Sequence, residues 1–265
     1  MVVAILALTQ FTVVLDFMVM SPLGDLLMKD LQVKPYQFGI VVSSYALAAG
    51  LSGFLTAGFA DRFDRKRLLV FFYSGFIVGT LFCGFSNSYE QLVLARIVTG
   101  IFGGVMSSIS MAIVADLFSL NQRGRVMGFM QMGFGLSQIL GIPISLYIAS
   151  KSNWQMPFYM IVCLSLIMLL AITLGMKPVR AHLDKKTDHS AFHHLITTIK
   201  NRNYRIGFMA TAFMSLGGYF MMPWGSAFAV NNVGLSQNEL PYLFMIVGVS
   251  TFLTMPLIGL LADKI

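Results

Sequence analysis

The chain has 265 residues, of which 57% are hydrophobic and only 11% charged, with 18 Lys plus Arg against 11 Asp plus Glu for a formal net charge of +7. A soluble domain carries about 25% charged residues, so this composition excludes an ordinary soluble enzyme: too few polar residues exist to cover a water-facing surface. The mean hydropathy of +0.77 makes lipid the solvent for most of that surface.

A membrane-crossing helix needs about 20 mostly apolar residues. Stretches at about 2–22, 37–59, 67–87, 90–117, 126–149, 157–176, 205–229 and 240–261 meet that length. None has the sustained polar face of a surface-lying amphipathic helix, and none alternates like the short strands of a membrane barrel. The expected fold class is therefore all-α, a polytopic membrane helix bundle. The first stretch lacks a basic n-region and a small-residue cleavage site before Pro22, so it reads as a retained span and not as a signal peptide.

Within span one, Val13-Val14-Leu15-Asp16-Phe17-Met18 holds the only carboxylate in the middle of an apolar run. A rise of 1.5 Å per residue places it roughly 20 Å from Met1. Span four carries Arg96 in Leu92-Val93-Leu94-Ala95-Arg96-Ile97-Val98-Thr99-Gly100. An Arg there costs about 2.5–3.5 kcal/mol on insertion scales, so it needs a polar interior and a partner unless it snorkels to the interface. Asp16, at comparable depth, is the obvious partner. If they pair, proton binding to Asp16 would release Arg96, which is a proton switch; the alternative is a buried hydrogen-bonded acid that only joins two helices. Gln10, Tyr45, Gln131 and Gln138 are polar positions within spans that either line a cavity or bond helix to helix. Gly100, Gly104, Gly141 and Pro143 read as packing and kink positions, since Gly allows close approach and Pro removes a backbone donor. Cys83 and Cys163 lie in apolar runs without Cys-x-x-Cys spacing and read as packing residues.

The loops are asymmetric. Alternate loops hold Arg62, Arg65, Lys66, Arg67, Arg123, Arg125, Lys177, Arg180, Lys185, Lys186, Lys200, Arg202, Arg205 and Lys264, while the opposite set holds only Lys29, Lys34 and Lys151. Lys and Arg are retained on the cytoplasmic side, which places the N-terminus there and makes the net charge a topology signal, with no nucleic-acid binding implied. The long polar segment contains His182, His189, His193 and His194, but no carboxylate or thiol is spaced to complete a metal site. The expected organisation is a six-helix bundle over 1–176, a cytoplasmic linker over 177–204 and the start of a second bundle over 205–265.

After span two the chain reads Ala57-Gly58-Phe59-Ala60-Asp61-Arg62-Phe63-Asp64-Arg65-Lys66, and after span eight Gly259-Leu260-Leu261-Ala262-Asp263-Lys264. Parallel repeats of this kind mark two-bundle transporters with a substrate site between the halves. The first copy resembles the loop signature of the major facilitator superfamily, Gly-x-Leu-Ala-Asp-Arg-x-Gly-Arg-Lys, departing at Ala57, Phe59 and Asp64. The Arg96 segment is similar to that family's fourth-helix motif, and Asp16 resembles the first-helix acid of its proton-driven drug efflux members. Gln131 to Pro143 matches the antiporter helix only in part, because Ile142 separates Gly141 from Pro143 and position 137 is Ser. Asp116 with Arg123-Gly124-Arg125 looks like the turn between spans four and five. Asn153 to Phe158 resembles the outer turn before span six, where Trp154 could equally be an interfacial anchor.

The resemblance implies about eight of twelve transmembrane helices, with the rest of the second bundle missing. It implies a bacterial inner-membrane protein, nearest to drug and sugar (arabinose-type) efflux members, that exchanges protons for a small molecule by alternating access. Asp16 and Arg96 would couple the proton, and Asp61, Arg62, Arg65, Lys66, Asp116, Arg123 and Asp263 would form the gating loops. In the family the loop Asp faces a helix N-terminus of the other bundle, where the dipole favours a carboxylate. Partners would be lipid, protons and substrate, with no cofactor. Uptake of a sugar or metabolite, and a non-transporting truncated fragment, stay open as alternatives. No nucleophile elbow, phosphate loop or metal cluster suggests an enzyme.

Overall fold

The computed structural model describes residues 1–57, 60–180, 183, 198, 200–221, 224–236 and 239–262. The described residues form helices joined by short turns: α1 Val2–Asp30, α2 Pro35–Ala57, a 3-10 turn Ala60–Arg62, α3 Arg65–Phe85, α4 Tyr89–Gly103, α5 Met106–Leu117, α6 Leu120–Leu136, a π turn Ser137–Gly141, α7 Ile142–Lys151, α8 Met156–Gly175, α9 Arg202–Met221, α10 Gly225–Asn231 and α11 Leu240–Ala262. No strand occurs among them. In lipid every backbone donor needs an internal partner, and helices meet that demand segment by segment.

Local chemistry sets several boundaries. Asp64 caps α3, its carboxylate accepting from the backbone N–H of Lys66 and Arg67, and Ser88 caps α4 by accepting from the N–H of Gln91. Pro157 occupies the first turn of α8, where no backbone donor is missed. The first helix continues past its expected end, through Pro22 to Asp30. Pro22 is buried within it, and the added turns carry the i,i+4 pair Lys29–Asp25 at 2.8 Å. The fourth span breaks at Gly104 and Val105 into α4 and α5, and the fifth passes through the π turn before α7. Six stretches are long and apolar enough to cross a membrane among the described residues, ending with Met156–Gly175. The expected seventh span is divided between α9 and α10, and the eighth is α11.

Small residues decide which helices touch. A Cβ on Gly100 would fall on the carbonyl oxygen of Tyr45, and one on Gly104 on the side chain of Ala49, so α4 lies directly against α2. Gly79 brings α3 to within 2.7 Å of the Thr99 backbone nitrogen of α4, counted from its missing Cβ. Gly133 does the same for α6 against the Ala7 carbonyl of α1. The π turn is the crossing point for α11: a Cβ on Gly248 would lie 2.7 Å from the Ile139 nitrogen, and Gly135 meets Phe252. Helix α1 sits at the centre, with Leu6, Leu15, Val19, Met20, Leu23 and Leu27 fully buried. The opposite faces of α2 and α8 expose Leu47, Leu51, Leu55, Leu170 and Leu174, as lipid-facing helices do. Trp154 is not an interfacial anchor. It is 2% exposed, and its indole Nε1 donates to Asp30 at 2.7 Å, tying the end of α1 to the turn before α8.

These contacts separate two glycines that look alike in sequence. Gly100→Ala forces a methyl into rigid backbone and is expected to destabilise the bundle by about 1–3 kcal/mol. Gly50→Ala meets nothing within 4 Å, and should be neutral or gain about 0.5–1 kcal/mol from helix propensity. Thermal unfolding of both variants in detergent checks the contrast.

Candidate functional site

Asp16 of α1 and Arg96 of α4 are both fully buried, and Arg96 Nη1 donates to Asp16 Oδ2 at 2.7 Å. Thr80 of α3 donates from Oγ1 to the other carboxylate oxygen at 3.1 Å, so three helices converge on one acid. The face of Tyr45 on α2 covers the guanidinium, with Arg96 Cζ 4.4 Å from the ring centroid. Arg96 Nε and Nη2 have no hydrogen-bond partner among the described residues. Desolvating two charges costs as much as their attraction returns, whereas deleting one partner strands the other at about 3–5 kcal/mol. Such a pair adds little net stability; what it does is make the helix arrangement sensitive to the charge on Asp16.

Beside the pair lies a cavity of about 730 Å³, and all four polar span residues singled out above line it: Gln10, Tyr45, Gln131 and Gln138. Phe17, Met18, Met111, Phe134 and Met214 are the large apolar side chains of the remaining wall, with smaller ones such as Val13 and Ala46 between them. Gln10 is held by Ser107, donating from Nε2 at 2.8 Å, while Gln138 Oε1 has no partner among the described residues. Gly104 also borders the cavity, and Gly141, the last residue of the π turn, sits against Leu15, with Pro143 in the first turn of α7. The space therefore accepts an apolar body and offers amide groups to orient it.

The charged loop residues cluster at the other end of α3. Arg65, 7% exposed, donates from Nη2 to Asp61 at 2.6 Å, from Nε to Asp116 at 3.3 Å and from Nη1 to the Ala60 carbonyl. Lys66 Nζ caps the end of α8 by donating to the Thr173 and Met176 carbonyls. Arg123 does the same for α5 at Ala115 and Phe118. Arg62 is exposed, and Asp61 keeps 68% of its side chain in the open. Asp263 lies outside the described residues, as do His182, His189, His193 and His194.

Residues 6–265 match the family model described as Major Facilitator Superfamily. The chain belongs to the major facilitator superfamily. Among curated relatives, an MFS-type transporter of Bacillus subtilis (strain 168), YceJ, is 32% identical over 171 residues, covering 64% of this chain and 44% of the relative. Multidrug resistance protein 3 of the same organism is 29% identical over 163 residues, covering 62% of this chain and 32% of its own. The chain thus spans under half the length of these two superfamily relatives. A solved bacterial homolog of the human lysosomal transporter Spinster, inward-facing and unoccupied, shares the fold at a TM-score of 0.73 and 17% identity, over 95% of this chain and 60% of that one.

Sequence reasoning passed over Asp64, treating it only as a departure from the superfamily signature, although Asp directly before an apolar helix is a capping signal. Beyond its two cap bonds, Asp64 accepts from the Val179 N–H at 3.4 Å and from Arg180 Nε at 2.8 Å, and the Arg65 N–H donates to the Val179 carbonyl. The segment after α8 is thereby fastened to the start of α3. Thr80 and Ser107 were also missed, since lone hydroxyls in apolar spans carry no spacing signal. Burial pushes the Asp64 carboxyl up, but the bonds from Arg180, Arg67, Lys66 and Val179 outweigh it and hold the group below the usual carboxylate range. A depressed folded value means the fastening contributes fully above about pH 4 and is lost as pH falls through the lowered value. Asp64→Ala should cost about 0.5–2 kcal/mol at pH 7, and its stability curve should converge on that of the unsubstituted protein in acid. Thermal unfolding from pH 7 to pH 3 tests this.

Proposed function

We propose that this protein is a proton-coupled efflux transporter for a small, largely apolar molecule, working by alternating access in a bacterial inner membrane. One observation carries the reading: the buried Asp16–Arg96 pair lies against a cavity with Met, Phe and Gln walls. An acid whose partner is a fixed cation has two charge states that favour different helix arrangements, and alternating access needs two arrangements. Each tenfold proton gradient is worth about 1.4 kcal/mol, and Asp16 is the group through which the chain draws on it. Export of a drug-like compound is favoured by the name of the multidrug resistance relative and by the apolar wall of the cavity.

The loop asymmetry supports an N-terminus in the cytoplasm. The Asp61–Arg65–Asp116 cluster and the Asp64 fastening then stand at the cytoplasmic end. There Asp61, with most of its carboxylate open, is the gating group that meets the second bundle. Arg62, Lys66 and Arg123 hold the loops around it.

Asp16→Asn retains an oxygen for Arg96 but cannot change charge. In liposomes with an imposed pH gradient, the variant should insert normally and lose gradient-driven transport of a lipophilic dye such as Hoechst 33342 by tenfold or more. Undiminished transport by Asp16→Asn refutes proton coupling through this acid. Dye movement with the proton flux, instead of against it, refutes exchange.

A further inference from the structure

Asp16 and Arg96 are fully buried, yet the cavity begins one side chain away. That side chain is Tyr45. It is 6% exposed, lines the cavity, and lays its ring over the Arg96 guanidinium at 4.4 Å. Phe17, the neighbour of Asp16 in sequence, packs its ring 5.2 Å from that of Tyr45 and also lines the cavity. The two rings are thus the wall between the cavity and the ion pair. Their seat is built from missing side chains: a Cβ on Gly103 would lie 2.8 Å from the Tyr45 hydroxyl, and one on Gly100 would strike its carbonyl. The buried Nε and Nη2 of Arg96 have no hydrogen-bond partner among the described residues, so the aromatic face is a favourable contact for the guanidinium.

We infer that Tyr45 is the positioning residue that couples the cavity to the ion pair, its ring acting as a door. In the closed position the ring covers Arg96 and keeps Asp16 away from the cavity. A molecule that fills the cavity and displaces the ring uncovers the guanidinium and opens a path to the carboxylate. The inference rests on the transport reading above, because a door has a purpose only if cavity and acid exchange information. It assigns the shielding of the pair to the ring face, which Tyr45→Phe keeps and Tyr45→Leu removes.

Dicyclohexylcarbodiimide, an apolar reagent that adds to a protonated carboxyl and transfers the acid proton to its own nitrogen, reports access to Asp16 without any substrate. The purified protein, Tyr45→Leu and Tyr45→Phe are labelled in detergent, and the adduct at Asp16 is followed by mass spectrometry of peptides. Tyr45→Leu should label at Asp16 at least tenfold faster than the unsubstituted protein, and Tyr45→Phe within twofold of it. Glu90, exposed in the first turn of α4, is the internal control for reagent dose: an opened door raises Asp16 alone. Labelling of Tyr45→Leu at the unsubstituted rate, equal acceleration in Tyr45→Phe, or a rise shared by Glu90 overturns the proposal. Should Tyr45→Leu aggregate, Tyr45→Met, which keeps bulk but no ring face, is read by the same criteria. The outcome is separable from the transport reading: Asp16→Asn that transports normally defeats the latter, whereas labelling defeats only the door.

Discussion

A charged pair inside an apolar bundle constrains everything around it. Asp16 and Arg96 are both fully buried, so what stabilises them beyond each other must come from protein, and the groups that approach them come from other helices: Thr80 from α3 and the Tyr45 ring from α2. The first four spans are therefore not free to slide independently. A shift of α1 by one turn, about 5.4 Å, would strand an ionised carboxylate among methyl groups. By the same dependence, a proton on Asp16 would change what the surrounding helices have to satisfy.

Close approach is what allows the arrangement to exist. Membrane helices gain nothing from hydrophobic exclusion between themselves and adhere by contact. The glycines on α3, α4 and α6 let backbone meet neighbouring backbone, while α1, α2, α5 and α6 together with Met214 and Ser215 of α9 enclose the cavity. The π turn at Ser137–Gly141 belongs to the same design: it lies where α11 crosses, and it delivers Gln138 to the cavity wall. The expected Pro kink in this span is thus a π turn followed at once by Pro143, so the change in hydrogen-bond register sits next to the residue that lacks a backbone donor.

At the far end of α3 the chain solves another problem, holding a basic loop in a defined shape. Arg65 bridges two carboxylates, Lys66 and Arg123 cap helix C-termini, and Asp64 binds the segment leaving α8. Charges that a topology count treats as interchangeable have distinct partners. Only Arg65 among the basic residues of that loop is buried; its pair with Asp116 is largely shielded, whereas Asp61 keeps most of its carboxylate open to solvent.

Residue identity and spacing alone determined the helical class, the number of apolar stretches, the oddity of Asp16 and Arg96, and the repeated Asp loop, because lipid imposes a length and a polarity that no soluble fold shares. Matched depth also pointed to the pairing, since depth along a helix is a linear function of residue number. What only the tertiary structure decided is azimuth: which side of each helix faces inward. Rotation about an axis is set by contacts between helices far apart in sequence, and with nearly every residue apolar no periodicity betrays the inner face. So Tyr45 over Arg96, Thr80 on Asp16, Trp154 on Asp30 and Asp64 on Arg180 became visible only once the helices were packed.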